Sequence, residues 1–98
     1  MAKIFFADDV AFDFKRILVH LREHASGDGV ERLDGLKAAI EVLTSNPLIG
    51  RPSADGCREL IVGRGMRGYV ALYHYDERTD LVKILAIRSQ RESGYQPI

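Results

Sequence analysis

The last part of the chain carries side chains that suit the binding of a phosphate group. Arg88, Arg91 and Tyr95 follow a strongly apolar run within eight residues. Guanidinium groups bind phosphate oxygens through paired hydrogen bonds, and a tyrosine ring can stack on a nucleic-acid base. The alternative is a polar tail that caps a sheet, with Tyr95 packed on it. The residue types alone leave both interpretations open.

A glycine-rich segment, Gly63–Gly68, has the pattern G-x-G-x-x-G that is typical of dinucleotide-binding sites. In such a site the pattern opens a helix, whose N-terminus binds the pyrophosphate. Here a run of β-forming residues begins at Tyr69 instead, so the segment is predicted to be a hairpin loop. We expect Arg64 and Arg67 to be displayed at its tip, where they are candidate partner-binding residues.

No combination of residues indicates a metal or a cofactor. His20 and His24 lie one helical turn apart, but no glutamate in the zinc-protease position and no nearby cysteine completes a ligand set. The single cysteine, Cys57, cannot form an internal disulfide and is typical of a reducing compartment.

Three strands in succession are predicted to form the centre of the fold. Arg58–Val62, Tyr69–Tyr75 and Leu81–Arg88 are rich in β-branched, aromatic and aliphatic residues, with Gly- or Asp-bearing connections between them. Because the connections are short, neighbouring strands must be antiparallel. The three strands therefore form a meander.

The upstream half is predicted to cover one face of this meander. A short strand, Lys3–Phe6, precedes a helix from about Asp9 to His24 with one apolar face. A second helix carries an apolar stripe and ends at Asn46–Pro47. The expected fold class is α+β, an antiparallel sheet with an N-terminal αα-hairpin on one face, and the place of the first strand stays open.

The second strand of the meander predicts a docking surface. Side chains alternate between the two faces of a strand, so Tyr69, Tyr73 and Tyr75 share one face. Both faces of the meander are apolar or aromatic, and two helices can cover only one. We expect the tyrosine face to be the open one and to bind a partner protein. A self-dimer, or cover by the loop 46–57, is the alternative.

Composition predicts a globular chain of one domain, residues 1–98, because 46% of the residues are apolar. No apolar run reaches about 20 residues and no secretory signal is visible. The net charge is zero. Residues 1–46 carry six basic and eight acidic side chains, net −2, and residues 47–98 carry eight and six, net +2.

Several of these segments, taken in order, resemble the RelE/ParE superfamily of type II toxins. The most specific are Asn46–Pro52, of the form Asn-Pro-x-x-Gly-Arg-Pro, then Arg58-Glu59-Leu60, and finally Arg88–Tyr95. The resemblance extends from Lys3 to Tyr95. It implies a cytoplasmic bacterial toxin, of the kind linked to plasmid stabilization and growth arrest, that a co-encoded antitoxin neutralises. A non-toxic interaction module of the same fold is an alternative.

The superfamily has two activities, and the resemblance implies one of them. RelE-like members cleave mRNA on the ribosome without a metal, and ParE-like members inhibit DNA gyrase and are not nucleases. Ser89 and Val70 stand where RelE-like sites carry basic residues, so we expect the ParE-like activity. The oligomeric state, a homodimer or a toxin–antitoxin assembly, stays open. If the chain is RelE-like, the catalytic residues carried over are Arg58, Arg88, Arg91 and Tyr95.

Overall fold

A computed structural model describes residues 1–24, 29–63 and 68–89, with side chains throughout except at positions 18 and 20–33. None of the helices in these ranges is long and apolar enough to cross a membrane. The fold is α+β, as the sequence predicts. In chain order the elements are β1 (Lys3–Phe6), α1 (Val10–His24), α2 (Gly29–Glu41), a 3-10 turn (Val42–Thr44), β2 (Arg51–Pro52), a second 3-10 turn (Ala54–Gly56), β3 (Arg58–Val62), β4 (Tyr69–Asp76) and β5 (Leu81–Ser89).

The five strands form one sheet in the order β1-β5-β4-β3-β2. The antiparallel meander of β3, β4 and β5 is confirmed. The first strand takes the edge next to β5 and runs parallel to it, so the complete sheet is mixed rather than wholly antiparallel. The loop expected over residues 46–57 contains β2, a two-residue strand at the opposite edge that the sequence did not predict.

The helices cover one face of the sheet, as expected. Their apolar stripes and the inner side chains of the strands form one buried cluster. Each member loses almost all contact with water, and burial of this kind is the main source of stability. The buried members from the helical half are Val10, Ile17, Leu36, Ile40 and Leu43, and those from the sheet are Tyr69, Ala71, Tyr73, Val82, Ile84 and Ile87.

A β-bulge in β5 changes which side chains of that strand face the core. Leu72 pairs with Ala86 and Tyr73 pairs with Ile84, so Leu85 has no residue opposite it. The extra residue shifts the alternation, and Ile87 therefore joins Ile84 in the core. Strict alternation without the bulge would instead place Ile87 on the same face as Leu85.

Candidate partner-binding surface

Tyr73 lies in the core beneath the helices. Its exposed fraction is 0%. Its hydroxyl donates to the carbonyl oxygen of Pro47 at 2.9 Å and accepts from the Gly50 N–H at 2.8 Å. Burial raises the pKa of the Tyr73 phenol, while the hydrogen bond from Gly50 and the nearby charge of Arg58 act in the opposite direction. The expectation that Tyr73 faces outward on the open side of the sheet is wrong.

The other two tyrosines do not complete an open aromatic surface either. Tyr69 is 7% exposed and belongs to the same buried cluster. Tyr75 is half-buried at the end of β4, where its hydroxyl donates to Asp80 Oδ1 at 2.6 Å. This hydrogen bond to a carboxylate is the main reason that the pKa of Tyr75 is raised. Alternation identified the shared face correctly, but it could not tell which face the helices would cover.

Arg58 holds the loop that contains the motif Asn46–Pro52. Its Nη1 donates to the carbonyl oxygens of Gly50 at 2.7 Å and Leu48 at 3.2 Å. A Cβ at Gly50 would lie 2.6 Å from the Tyr73 hydroxyl and 2.9 Å from the Glu59 carbonyl oxygen, so only glycine fits. Arg58 and Tyr73 therefore bind one backbone segment together. This packing accounts physically for the glycine of the motif.

Arg88 is bound to the first helix. Its Nη1 contacts Asp13 Oδ1 at 2.6 Å, and Arg16 contacts the same oxygen at 3.0 Å. The second oxygen of Asp13 accepts the Ile87 N–H at 3.0 Å, and Arg16 donates to the Ile87 carbonyl oxygen at 3.2 Å. Asp13 and Arg16 thus bond to β5 beyond the point where its neighbour β1 has ended. In this way α1 closes part of an edge that would otherwise be open.

Two of the catalytic residues implied by a RelE-like resemblance, Arg58 and Arg88, lie in the described part of the chain. Their side chains do not converge on a common point. Arg58 is level with Tyr73 on β4, and Arg88 is level with Val70 on the far side. Three residues along β4 and two strand spacings separate them, about 10 Å in each direction. The other predicted site residues lie outside the described ranges: Arg64, Arg67, Arg91 and Tyr95.

The face of the sheet away from the helices combines apolar and basic side chains. Phe5 is 51% exposed, and the Lys83 ammonium nitrogen lies 5.8 Å from the centre of its ring. Lys3, also exposed, lies two residues before Phe5 and so on the same face. Leu72 is half-buried on this face. This open face therefore carries the residues between the tyrosines rather than the tyrosines themselves, and it is not open throughout, because Val70 is only 2% exposed.

A groove runs beside the free edge of β1, the edge away from β5, and the sequence did not predict it. It has a volume of about 540 Å³ and lies between the inner face of β1 and the ends of the helices. The rings of Phe6 and Phe14 meet edge to face at 6.0 Å, and Phe6 remains 43% exposed. Two consecutive phenylalanines in a four-residue strand were the available signal. The lining residues are Ile4, Phe6, Phe14, Lys37, Ile40, Glu41 and Thr44.

Comparison with known proteins identifies a family for the chain. The family described as the ParE toxin of the type II toxin–antitoxin system parDE matches residues 4–94. The match includes both helices and the described strands, except for Lys3 at the start of β1. No curated protein matches the chain.

Solved structures share the fold. A chain of the chromosomal ParDE system of P. aeruginosa has a TM-score of 0.75 and 20% identity, over 91% of this chain and 96% of that chain. The intact E. coli RelBE complex gives 0.65 and 13%, over 91% and 96%. The RelBE2 complex of Mycobacterium tuberculosis gives 0.51 and 25%, over 90% and 96%. At 20% and 13% identity the first two likenesses show the fold alone.

Proposed function

The chain belongs to the ParE toxins of type II toxin–antitoxin systems, and we propose that it acts by inhibiting DNA gyrase rather than by cleaving mRNA. The toxin role comes with the family, whose match covers residues 4–94. The choice of gyrase as the target is the proposal. Both the target and the antitoxin that opposes the toxin would be met in the cytoplasm.

The observation that carries the choice of target is the use of Arg58 and Arg88. Metal-free cleavage of RNA requires cations that converge on the scissile phosphate and a group that moves the proton of the 2′-hydroxyl. Arg58 donates to two backbone carbonyls, and Arg88 is paired with Asp13 on another part of the sheet. Both guanidinium groups therefore stabilise the fold, which argues against a RelE-like catalytic site built on them.

An antitoxin is the partner that the family relationship supports. The solved complexes of similar fold are named as ParDE and RelBE toxin–antitoxin assemblies. In this chain, the apolar and basic open face and the groove along β1 provide surfaces on which a partner protein could bury apolar area.

The test uses the purified toxin in two assays side by side. In the first, gyrase supercoils a relaxed plasmid in the presence of increasing toxin. In the second, purified ribosomes translate a defined mRNA, and cleavage is mapped by primer extension. We expect dose-dependent loss of supercoiling and intact mRNA. The matched control is the same toxin preincubated with the protein encoded by the neighbouring gene, which should restore supercoiling.

The other outcomes separate the alternatives. Cleavage of mRNA at codons on the ribosome, with normal supercoiling, would show a RelE-like activity and overturn the gyrase proposal. Normal supercoiling, intact mRNA and unimpaired growth of cells that express soluble protein would favour a non-toxic interaction module.

A further inference from the structure

Four exposed residues form a patch on the sheet face away from the helices. Lys83 of β5 is level with Phe5 of β1 on one side and with His74 of β4 on the other. Lys3 lies two residues before Phe5, so its side chain projects to the same face. All four residues are exposed. Lys3, Phe5, His74 and Lys83 are called the Phe5 patch below.

The positive charge of the Phe5 patch is not neutralised within the described residues, where no carboxylate forms an ion pair with either lysine or with the histidine. The described strands carry two acidic residues, Glu59 and Asp76, and both have other partners. Glu59 pairs with Arg51 at 3.0 Å, and Asp76 accepts the Arg78 N–H at 2.9 Å. The patch is therefore a surface that attracts an anionic ligand.

The spacing of the patch suits a ligand with repeated negative charges. Lys3 and Lys83 are diagonal neighbours on adjacent strands, so their Cα atoms lie roughly 8 Å apart. His74 lies directly opposite Lys83, at about 5 Å. A small anion would contact one of these groups, whereas the backbone of a nucleic acid carries a phosphate at every nucleotide and can contact several. The arrangement thus favours a phosphodiester chain over a single phosphate.

The Phe5 ring adds a surface on which a base can stack. The residue is 51% exposed, and the Lys83 ammonium nitrogen lies 5.8 Å from the ring centre. Aromatic side chains beside cations on an open sheet face bind single strands, because unpaired bases stack on the rings. In a duplex the bases are already stacked on one another, and the ring would have no base to receive. The exposed ring therefore favours a single strand over a duplex.

The Phe5 patch is separate from the positions that carry basic residues in RelE-like sites. Val70 and Ser89 occupy those positions, at the other end of the β4–β5 pair. Val70 lies four residues from His74 along β4, a distance of about 13 Å. Val70 is also only 2% exposed, so it offers no surface to a ligand. The patch is thus a different surface from a RelE-like cleavage site.

We propose that the Phe5 patch binds a short single strand of DNA, with backbone phosphates at Lys3 and Lys83 and one base stacked on Phe5. This inference rests on the proposed function, because gyrase is the target that brings DNA to the toxin. His74, beside Lys83, can donate a further hydrogen bond to the same backbone. Binding of this kind would direct the toxin to gyrase that has DNA bound rather than to free gyrase.

Fluorescence anisotropy of a labelled oligothymidine of about 12 nucleotides tests the ionic part of the site. We expect the wild-type toxin to bind with a dissociation constant on the order of 10⁻⁵ M, more weakly as salt rises. Lys83→Gln should bind about fivefold more weakly at low salt and reduce the salt slope by about 0.7, the value for one phosphate contact on a single strand. The matched control is Lys15→Gln, which removes an exposed lysine from α1 and should change neither quantity.

A substitution of the ring tests the stacking part. Phe5→Leu keeps an apolar side chain but removes the flat ring, and it should weaken oligothymidine binding at least about fivefold. Its salt slope should stay at the wild-type value, because no charge is lost. Phe12→Leu makes the same change at a phenylalanine of α1 that is 70% exposed, and it should bind as the wild type does. Loss of affinity without loss of slope distinguishes stacking from charge.

The supercoiling assay connects the patch with the proposed target. Lys83→Gln and Phe5→Leu should each raise the toxin concentration that halves supercoiling at least about threefold. Lys15→Gln and Phe12→Leu should inhibit as the wild type does. All four substituted residues are exposed, so we expect every variant to remain folded, which thermal denaturation checks.

Other ligands in the anisotropy assay identify what the patch selects. Duplex DNA that binds as tightly as oligothymidine would overturn the stacking of a base on Phe5. RNA that binds more tightly than DNA of the same sequence would overturn the choice of DNA. A polyglutamate peptide that binds more tightly than oligothymidine, with the same sensitivity to Lys83→Gln and Phe5→Leu, would show that the patch binds an acidic protein instead.

The failure of this inference can be told from the failure of the proposed function. Variants that lose oligothymidine binding but inhibit gyrase as the wild type does would overturn the inference and leave gyrase as the target. Equal effects of the patch variants and their α1 controls would overturn it as well. If the wild-type toxin binds oligothymidine through the patch but leaves supercoiling unchanged, the gyrase assignment fails and the DNA-binding patch stands.

Discussion

The two edges of the sheet differ in how their backbone groups are satisfied. At the β2 edge, Tyr73 and Arg58 together make four hydrogen bonds to the backbone of the segment that leads into β2. At the β1 edge, Ile4 and Phe6 have no such partners within the described residues, and an apolar groove lies beside them. One edge is fastened by the chain itself, and the other has room for another chain.

This contrast shows that the residues whose types suggest function in the sequence serve to stabilise the β2 edge. Arginine and tyrosine suggest catalysis or binding, yet Arg58 and Tyr73 form hydrogen bonds to the backbone of the loop before β2. At the open edge, the strand Lys3–Phe6 turns Ile4 and Phe6 toward the groove, and these apolar residues suggest no chemistry in a sequence. Substitutions at the fastened edge should therefore lower the free energy of unfolding, and substitutions at the open edge should mainly change binding.

The largest effect on stability should come from Gly50→Ala. The added methyl would overlap the Tyr73 ring and a backbone oxygen of Glu59 at distances below 3 Å. We expect the free energy of unfolding to fall by about 3 kcal/mol, the upper part of the usual range for overpacking. The measurement is urea denaturation followed by circular dichroism.

Gly35→Ala is the matched control for this change. Gly35 lies in α2, and a Cβ there meets no atom within 4 Å. The same substitution should raise the free energy of unfolding by up to about 1 kcal/mol, because alanine favours the helix. Equal effects at the two glycines would mean that the loop is not fastened as tightly as the contacts indicate.

The next largest effect should come from Asp13→Ala, which removes the tether between α1 and β5. The Asp13 side chain is 7% exposed and accepts the Ile87 N–H as well as two guanidinium groups. Loss of a buried acceptor costs about 1–3 kcal/mol, and the arginines are exposed enough to remain hydrated. We expect a loss of about 2 kcal/mol. Asp13→Asn keeps an acceptor for Ile87 and should cost clearly less; an equal cost would assign the effect to charge alone.

The sequence predicted the elements well because their signals are local. The meander strands, α1 and the position of the αα-hairpin follow from the periodicity of apolar residues and from the placement of glycine and proline. The covered face of the sheet does not follow, since alternation is symmetrical between the two faces. The bulge at Leu85 and the pairing of Asp13 with Ile87 depend on contacts between distant segments. For the same reason the groove beside Phe6 could not be found before α2 and β1 were placed together.

Alkaline pH should weaken the hydrogen bonds of Tyr73 at the β2 edge without a substitution. The pKa of Tyr73 is raised in the folded protein by burial. The folded state therefore holds this proton more tightly than the unfolded state, and the stability it contributes is present below about pH 10 and is lost as the pH rises further. We expect Tyr73→Phe, which also lacks the bonds to Gly50 and Pro47, to cost about 1–2 kcal/mol at neutral pH.

The alkaline limb identifies the source of that loss. Stability of the wild-type protein should decline more steeply above pH 10 than that of Tyr73→Phe. Tyr75→Phe is the control for the loss at neutral pH only, because the Tyr75 hydroxyl binds Asp80 rather than the loop, while the pKa of Tyr75 is raised as well. If the two variants lose equal stability at neutral pH, the bonds from Tyr73 to the loop contribute little.

The smallest effect on stability, and the sharpest test of the comparison, is a matched pair of charge removals at the two edges. Lys83→Gln removes the cation above Phe5 near the open edge, and Arg51→Gln removes the cation paired with Glu59 at the fastened edge. Both contacts are at the surface, so each variant should lose only about 0.5 kcal/mol of stability.

The effects of the two variants on binding should differ. If an acidic segment lies beside β1, Lys83→Gln weakens binding of the neighbouring-gene product severalfold at low salt and less at high salt, because exposed charges are screened. Arg51→Gln should bind as the wild type does at both salt concentrations. Equal binding by the two variants would mean that the open edge does not select its partner by charge, and Phe5 and the groove would then act through apolar contact alone.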